Sequence, residues 1–347
     1  MINKLLLILP HIFSFCLFDI KNLFAQNENS ALPDLIPYRK GDKWGYCDKN
    51  KKIVLPCKYD DAKIFSEGLA AVKKDKMWGY INKKGKEIIS YIYYKSADIF
   101  CDGLAAVRKV RNWGFINKEG QEVIPCQFYG YDFFNEGFAN VTLFGRTSKG
   151  GYKPIENLTI DKEGNKIDFE KYTRTYDYNE GIFVVESAEG FDYKFGFINK
   201  EGLEIIPLKY DKAHGFSEGL AAVKLNNKWG FIDKERKEII SINLKYDNVK
   251  SFHEGLATSE LNNKWGYIDK KGNVVIPLKY DYTGIFSEGL ASVKLNDKWG
   301  FLNKGGKEII YLKYDYAEDF RNGLARVETN DKYGYIDKNG TEYFEDL

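Results

Sequence analysis

Short apolar runs alternate with polar turns along most of this chain, and the segment 280–310 shows the pattern clearly. Aliphatic and aromatic residues gather in four runs of four to seven residues, which predict short strands. Asn296-Asp297 predicts a tight hairpin between the second and third strands, and the run 303–306 (Asn-Lys-Gly-Gly) predicts a turn that ends in Gly. The predicted strands cover residues 280–286, 290–295, 298–302 and 307–310.

Two sequence markers show that this unit is repeated. The first is an aromatic residue followed by Gly, in copies 34 to 36 residues apart except for one interval of 82 residues. It occurs at Trp44, Trp78, Trp113, Phe195, Trp229, Trp265, Trp299 and Tyr333. The second is an aromatic residue with Gly three positions later, at Phe65, Phe100, Phe134, Tyr178, Phe216, Phe252, Phe286 and Phe320. The long interval hides a ninth, altered copy around Asn157-Leu158.

The pattern within one repeat predicts how the repeats assemble. Trp299 and Phe301 point to one side of a strand and Leu302 to the other, so each unit needs a neighbour on both sides. We therefore predict an all-β fold of small propeller-like blades. Nine copies are many for a closed ring, and no spare strand is visible to complete the first unit. We expect an open or incompletely closed array, with a β-solenoid or superhelix as the alternative.

Three sequence runs carry a family resemblance. They are K-W-G-Y-I-D-K-K-G at 264–272, I-P-L-K-Y-D at 276–281 and F-S-E-G-L-A at 286–291. From Asp42 to the C-terminus the chain resembles the bacterial WG-repeat family, with departures in the fourth and fifth copies. The resemblance implies a generic interaction scaffold and names no particular ligand.

The first 25 residues have the pattern of a signal peptide. Lys4 precedes an apolar stretch at 5–18, and the small residue Ala25 stands before Gln26. We predict export to the periplasm, the cell surface or the medium. Residues 26–41 then lead into the first repeat, and the array occupies 42–347. No later stretch is apolar enough to cross a membrane.

Composition and charge narrow the possible functions. Hydrophobic residues make up 44% of the 347, enough for a packed core, and the 16% aromatic content suits strands. The 52 basic and 50 acidic residues give a net charge of +2 and are interleaved along the chain. Nucleic-acid binders usually present a basic face, so we expect no nucleic-acid partner.

The cysteines allow two interpretations. Cys47, Cys57, Cys101 and Cys126 follow the predicted signal peptide, and an even count in an exported protein permits disulfides. However, Cys57 and Cys126 stand where other repeats carry Leu208 or Leu278, which favours a role as small apolar fillers. Cys16 lies within the predicted signal peptide.

Candidate catalytic groups are few once the repeats are taken into account. Carboxylates present in nearly every copy are best explained by turn structure: Glu67, Glu136, Glu180, Glu218, Glu254 and Glu288, with Asp60, Asp211, Asp247, Asp281 and Asp315. Only His214 and His253 follow the signal peptide, and His253 replaces a turn Ser, so we expect it at the surface. We predict no catalytic residue, no cofactor and no metal ligand, and hence no enzymatic activity.

The irregular region 143–193 is the strongest candidate for function. It is lengthened, lacks the marker Trp, and contains a polar loop with Arg146 and Lys149 as well as Arg174. Insertions in repeat arrays often map to a binding face. We predict a non-enzymatic scaffold that binds a protein or cell-envelope polysaccharide through this region. The alternative is an envelope-associated hydrolase whose active site lies in 143–193.

Overall fold

The computed structural model describes residues 32–146, 152–189 and 192–346, and within these ranges it contains β-strands and no helix. The predicted signal peptide, 1–25, and Cys16 lie outside the described residues. The strands form nine small sheets, which we call blades 1 to 9 in chain order. The prediction of an all-β fold built from propeller-like blades is confirmed.

The strands of blades 1 to 4 have the following bounds. Blade 1 contains β1 (Ile36–Lys40), β2 (Lys43–Cys47) and β3 (Ile53–Tyr59). Blade 2 contains β4 (Asp61–Ala62), β5 (Leu69–Lys74), β6 (Met77–Asn82) and β7 (Glu87–Tyr94). Blade 3 contains β8 (Ser96–Cys101), β9 (Leu104–Lys109), β10 (Asn112–Ile116) and β11 (Glu122–Phe128). Blade 4 has only β12 (Gly130–Tyr131), β13 (Phe138–Arg146) and β14 (Tyr152–Asp161).

Blades 5 to 9 continue the same order. Blade 5 contains β15 (Arg174–Asn179), β16 (Ile182–Glu189), β17 (Asp192–Asn199) and β18 (Glu204–Tyr210). Blade 6 contains β19 (Lys212–Ala213), β20 (Ala221–Leu225), β21 (Lys228–Ile232) and β22 (Glu238–Leu244). Blade 7 contains β23 (Asn248–His253), β24 (Leu256–Leu261), β25 (Lys264–Ile268) and β26 (Val274–Tyr280). Blade 8 contains β27 (Tyr282–Thr283), β28 (Leu290–Leu295), β29 (Lys298–Asn303) and β30 (Glu308–Tyr314). Blade 9 contains β31 (Tyr316–Ala317), β32 (Leu324–Thr329) and β33 (Lys332–Asp337), and β34 (Phe344–Glu345) follows.

The turns of a regular blade follow from local chemistry. In blade 8, Asn296 and Asp297 both have positive φ, as the predicted two-residue hairpin requires. At the next turn, the Asn303 side chain accepts hydrogen bonds from the backbone N–H groups of Gly305 and Lys307 at 3.1 and 2.9 Å. The two turns lie at opposite ends of the sheet. We call the two ends of the blades the hairpin face and the turn face accordingly.

The Gly of the aromatic-Gly marker lets two strands approach closely. A Cβ atom placed at Gly300 would lie 2.5 Å from the carbonyl oxygen of Ile310 on β30. The pairing of β29 with β30 is bulged at this point, which brings the outer backbone over the glycine. The missing side chain of Gly300 thus makes room for the outer strand, and no larger residue fits this arrangement.

Aromatic side chains form the core between neighbouring blades. The aromatic residue that follows the Gly of the first marker packs against the aromatic residue of the second marker in the next blade. The ring centres of these pairs are 4.7 to 5.1 Å apart at seven junctions. Tyr267 and Phe286 form one such pair, at 4.8 Å. Because each blade is buried on both sides, the stacking inferred from the pattern of apolar residues is confirmed.

The two ends of the array meet, which differs from the open array expected. β34 follows blade 9 but pairs in parallel with β1 of blade 1, opposite Arg39 and Lys40. The buried Arg39 side chain donates to the carbonyl of Tyr333 at 2.7 Å, and Arg326 of blade 9 pairs with Asp61 of blade 2 at 3.1 Å. The last repeat thus gives up its own fourth strand to complete the first, and the nine sheets form a nine-bladed β-propeller arrangement.

Candidate functional site

Two hairpins in blades 4 and 5 are longer than their counterparts. β13 and β14 have nine and ten residues, and β16 and β17 have eight each, whereas β28 and β29 have six each. All of these are the second and third strands of their blades, so the extra length extends from the hairpin face. The irregular region predicted from the sequence therefore forms two neighbouring projections on one face.

Blade 4 also lacks the residues that normally hold its fourth strand. Asn157 stands where other blades have Trp, Phe or Tyr, and Leu158 replaces the marker Gly. Because a Cβ at that glycine would meet the outer backbone, the buried Leu158 prevents the fourth strand from packing as it does elsewhere. Only a bridge between Ile160 and Lys166 remains, and the following residues leave the sheet.

A notch lies where this Trp and this strand are missing. It is a cavity of about 20 Å³, close to the size of one water molecule. Polar and charged residues predominate in its lining: Asn157, Lys166, Asp168, Thr173, Arg174 and Thr175, with Leu158, Ile167 and Tyr172. The notch lies beside β14, the strand left at the edge of blade 4, and beside the first residues of β15 in blade 5.

Arg174 is the most prominent cation of the notch. It pairs with Glu186 on the adjacent strand, but the distance of 3.9 Å is longer than a hydrogen bond. Glu186 is buried and accepts a short hydrogen bond from the Tyr176 hydroxyl. The pKa of Arg174 is raised, chiefly by hydrogen bonding with Tyr176 and also by the charges of Glu186 and Tyr193. Arg174 is thus a half-exposed guanidinium close to an exposed aromatic residue.

The three residues predicted to bind a partner have different outcomes. Arg174 lines the notch, as described above. The backbone of Arg146 ends β13 opposite Tyr152, on the same face. Lys149 lies outside the described residues. The structure therefore brings Arg174 and the end of the long hairpin to one face, while a role for these residues in binding stays a prediction.

The junction between blades 4 and 5 contains a polar network that the sequence did not reveal. The Asn140 amide donates to Asp177 at 3.2 Å, and the Thr159 hydroxyl donates to Asn140 at 2.8 Å. Asn135 donates to Asn179 at 2.8 Å. Burial raises the pKa of Asp177. Polar contacts thus occupy the position of the aromatic pair found at the other junctions, because Thr159 replaces the aromatic residue.

The repeated carboxylates have the structural role predicted for them. On the turn face, Glu218 accepts from the backbone N–H of Gly255 in the next blade at 3.0 Å and pairs with Lys270 at 3.1 Å. On the hairpin face, Asp281 accepts from the N–H of Asn296 at 2.8 Å and pairs with Lys264 of the preceding blade at 2.6 Å. These carboxylates link blades and turns, which accounts for their repetition.

Both described histidines are enclosed, and the surface position expected for His253 is wrong. His253 is 5% exposed, because its position in the repeat faces the packed interior rather than the turn. His214 stacks on Trp229 with ring centres 5.4 Å apart. Burial, and then the ammonium groups of Lys250 and Lys212, lower the pKa of His214 to about 4.

A second small cavity lies beside Gly284, between blades 8 and 9. A Cβ at Gly284 would meet an Asp319 carboxylate oxygen at 2.1 Å, so the glycine makes room for this buried group. Asp319 accepts from the Ser292 hydroxyl at 2.7 Å, and burial raises its pKa. Lys250 also lines the cavity, and its ammonium lies 5.0 Å from the centre of the Trp265 ring. Sequence patterns do not predict this cluster, because its members come from different repeats.

The cysteines are free thiols in the described part of the chain. Cys47 and Cys101 are buried, and Cys57 and Cys126 are partly buried. The Cys126 thiol approaches the carbonyl of Val107 at 3.7 Å, a distance suited to a weak sulfur contact. The interpretation as apolar fillers is confirmed, and the disulfides left open by the sequence are not formed.

Two further findings concern metals and membranes. Within 32–146, 152–189 and 192–346, no three His, Cys, Asp or Glu side chains are grouped so that they could hold a metal ion. The same ranges contain no helix that is long and apolar enough to cross a membrane.

The chain has distant likenesses among solved structures. The extracellular domain of BT4673 from B. thetaiotaomicron is 9% identical with a TM-score of 0.34; the match covers 89% of this chain and 57% of that one. Hsv2p of Kluyveromyces lactis is 8% identical with a TM-score of 0.36, over 80% of this chain and 92% of its own. The AfRom2 CNH domain is 10% identical with a TM-score of 0.33, over 82% of this chain and 93% of its own. None of these likenesses carries an argument about function.

Sequence comparison identifies the family. A search of curated proteins found no match. The model of the WG containing repeat, however, matches seven times, at residues 44–78, 78–109, 113–143, 195–229, 229–265, 265–299 and 299–333. The unmatched stretch 144–194 contains the altered copy, the two long hairpin tips and the notch. The matches span more than half of the chain, which therefore belongs to the WG containing repeat family.

Proposed function

We propose that this protein is an exported, non-enzymatic scaffold that binds a protein or a cell-envelope polysaccharide through the hairpin face of blades 4 and 5. One observation carries the proposal: the two long hairpins project from one face of the same two blades that contain the notch, while on the turn face these blades keep regular contacts with blades 3 and 6. At the junction of blades 3 and 4, for example, Asp102 still accepts from the N–H of Gly137 at 2.9 Å. A change confined to one face is what binding through that face would favour.

Retention of a partner from the cell envelope tests this function. The purified chain, immobilised, is offered solubilised envelope fractions, and the retained material is compared with that of a variant in which residues 146–151 are replaced by Asn-Gly. We expect the shortened hairpin to abolish retention. The double substitution Asn296→Gly and Asp297→Gly alters a hairpin of ordinary length in blade 8, and both positions have positive φ, which suits Gly. This control should retain the partner.

Two outcomes would overturn the proposal. Equal retention by the wild type and by the shortened variant would show that the hairpin face of blades 4 and 5 is not the binding surface. Turnover of the retained material that is lost in Arg174→Ala would show an enzyme instead, as the hydrolase alternative requires.

Export is tested separately by locating the protein and determining its N-terminus. We expect a chain that begins at Gln26 in the periplasmic, surface or secreted fraction, because Ala25 is the small residue that precedes the predicted cleavage site. A chain that retains residues 1–25 in the cytoplasm would contradict this part of the proposal.

A further inference from the structure

The groups that line the notch are mainly hydrogen-bond donors. Arg174 and Lys166 are cations, and Asp168, the one carboxylate of the lining, is paired with Lys166 at 3.2 Å, so Arg174 supplies the uncompensated charge. The Asn157 carbonyl oxygen already accepts from Thr142 at 2.9 Å, which leaves its amide N–H groups as donors. The hydroxyl of Tyr172 is buried and has no hydrogen-bond partner within reach in the described part of the chain. Such a set suits a ligand group that carries acceptors and negative charge. The small volume of the notch admits one oxygen of a carboxylate.

The contacts of Arg174 leave capacity for such a group. A guanidinium has five N–H donors, and its closest carboxylate among the described residues, Glu186, stands at 3.9 Å. The Tyr176 hydroxyl also approaches Arg174, and it donates its hydrogen bond to the Glu186 carboxylate. The Arg174 side chain remains 45% exposed, so an incoming carboxylate can approach it and form a pair of parallel hydrogen bonds.

An exposed aromatic residue accompanies this cation. Tyr193 lies on β17 and is 49% exposed. Across the sheet Arg174 pairs with Glu186 and Glu186 with Phe195, so Tyr193 stands two residues along the strand, on the same side of the sheet as Phe195. An exposed ring beside a charged, hydroxyl-rich notch offers a flat surface for the apolar face of a sugar and polar groups for its substituents.

Two features favour a saccharide over a protein chain. Protein hot spots usually fill a well-packed pocket with a large side chain, whereas this notch holds about 20 Å³. A peptide could instead add as a strand beside β14, but Pro154 lies within β14 and has no backbone N–H to offer. Both common ways of holding a peptide are therefore disfavoured here.

We propose that the notch binds the carboxylate of a uronic-acid residue in an anionic polysaccharide, with the sugar ring against Tyr193 and the carboxylate on Arg174. This proposal rests on the proposed function, since it names the ligand class for the same face. The Tyr172 hydroxyl supplies a further donor to the bound group.

Binding of a defined oligosaccharide pair tests the proposal. Isothermal titration compares the purified chain with oligogalacturonate and with its methyl ester, which has the same sugar units but no free carboxylate. We expect the ester to bind at least about tenfold more weakly, and Arg174→Gln to lose a similar factor for the free acid. Tyr193→Ala should lose less, about threefold to tenfold.

Two variants control for charge and for folding. Lys212 occupies the same repeat position in blade 6 as Arg174 in blade 5, so Lys212→Gln removes one positive charge from a regular blade and should bind as the wild type does. Asn157→Trp restores the residue found in other blades and should block the notch while Arg174 stays in place. Equal melting temperatures would show that each variant is folded.

The outcomes separate this proposal from the proposed function. Equal binding of acid and ester, or equal affinity of the Arg174→Gln and Lys212→Gln variants, would overturn the uronate proposal. Tighter binding of a polyglutamate peptide than of oligogalacturonate would replace it by an acidic protein partner. If no oligosaccharide binds but the shortened hairpin still loses an envelope partner, the ligand class is wrong and the proposed function stands. If the hairpin also has no effect on retention, both fail.

Discussion

Blades 8 and 4 share one face and differ at the other. On the turn face, both take part in the same contact, in which a carboxylate of one blade accepts from a backbone N–H of the next: Glu254 with Gly289, and Asp102 with Gly137. Away from the turn face, blade 8 has its Trp, its glycine and a complete fourth strand, whereas blade 4 has Asn157, Leu158 and a notch. The array can therefore stay closed through one face while the other changes.

The packing between regular blades also differs from the packing between blades 4 and 5. Junctions between regular blades are apolar and aromatic, as with Phe301 and Phe320 at 4.8 Å. The junction of blades 4 and 5 has the contact of Phe138 with Tyr178, at 4.6 Å, and in addition a connected set of hydrogen bonds around Asn140 and Asp177. Buried polar groups are costly unless they are satisfied, so these hydrogen bonds favour one arrangement of the two blades.

The largest expected effect concerns the glycine of a regular blade. In Gly300→Ala the new methyl would stand 2.5 Å from the carbonyl oxygen of Ile310, so the outer strand must move. We expect a loss of more than about 3 kcal/mol in the free energy of unfolding, measured by denaturant titration. Gly305→Ala is the matched control, since its nearest neighbour is 3.5 Å away and its φ is not positive, and it should change stability by less than about 0.5 kcal/mol. A Gly300→Ala variant as stable as the control would show that the close approach is not what excludes a side chain from blade 8.

A second effect depends on pH and concerns the residues that enclose Trp229. The pKa of His214 is about 4 in the folded chain, below its ordinary value near 6.5. The unfolded chain therefore binds the proton first, and stability should fall as the pH is lowered from about 6.5 to about 4, by at most about 3 kcal/mol. His214→Phe keeps a ring against Trp229 and should remove this part of the pH dependence, measured by thermal melting at a series of pH values. An unchanged slope would mean that His214 does not control it.

A third comparison tests whether the turn face is the same in both regions. Glu218→Ala removes a hydrogen bond and an ion pair between blades 6 and 7, and Asp102→Ala removes their counterparts between blades 3 and 4. We expect each to cost about 1–3 kcal/mol, measured by denaturant unfolding. Glu218→Gln keeps an acceptor for Gly255 and should cost less than Glu218→Ala. A much smaller effect at Asp102 than at Glu218 would mean that the irregular region differs on both faces.

These comparisons also explain which features the sequence could predict. The strands, the turns and the structural carboxylates arise from local chemistry that appears in many copies, so one repeat supports the interpretation of the next. The closing strand is a single event: Phe344 and Glu345 belong by sequence to a fourth strand of blade 9 and pair instead with β1. The burial of His253 and the meeting of Lys250 and Asp319 beside Gly284 likewise depend on neighbouring blades. For the candidate site, the sequence predicted the region and Arg174. It did not predict that Leu158 would obstruct the fourth strand of blade 4.

The smallest expected effect concerns a residue exchanged between repeats. Cys126 takes the position that Leu208 and Leu278 hold in blades 5 and 7, and its thiol makes only a 3.7 Å contact with a carbonyl. If the blades are equivalent there, Cys126→Leu should change the free energy of unfolding by less than about 1 kcal/mol, because added apolar burial offsets the lost sulfur contact. Thermal melting under reducing conditions measures this, with Cys126→Ser as the polar control that should be less stable. A Cys126→Leu variant that loses several kcal/mol would show that blade 3 is packed differently from the regular blades, and that the irregular region begins one blade earlier than its sequence indicates.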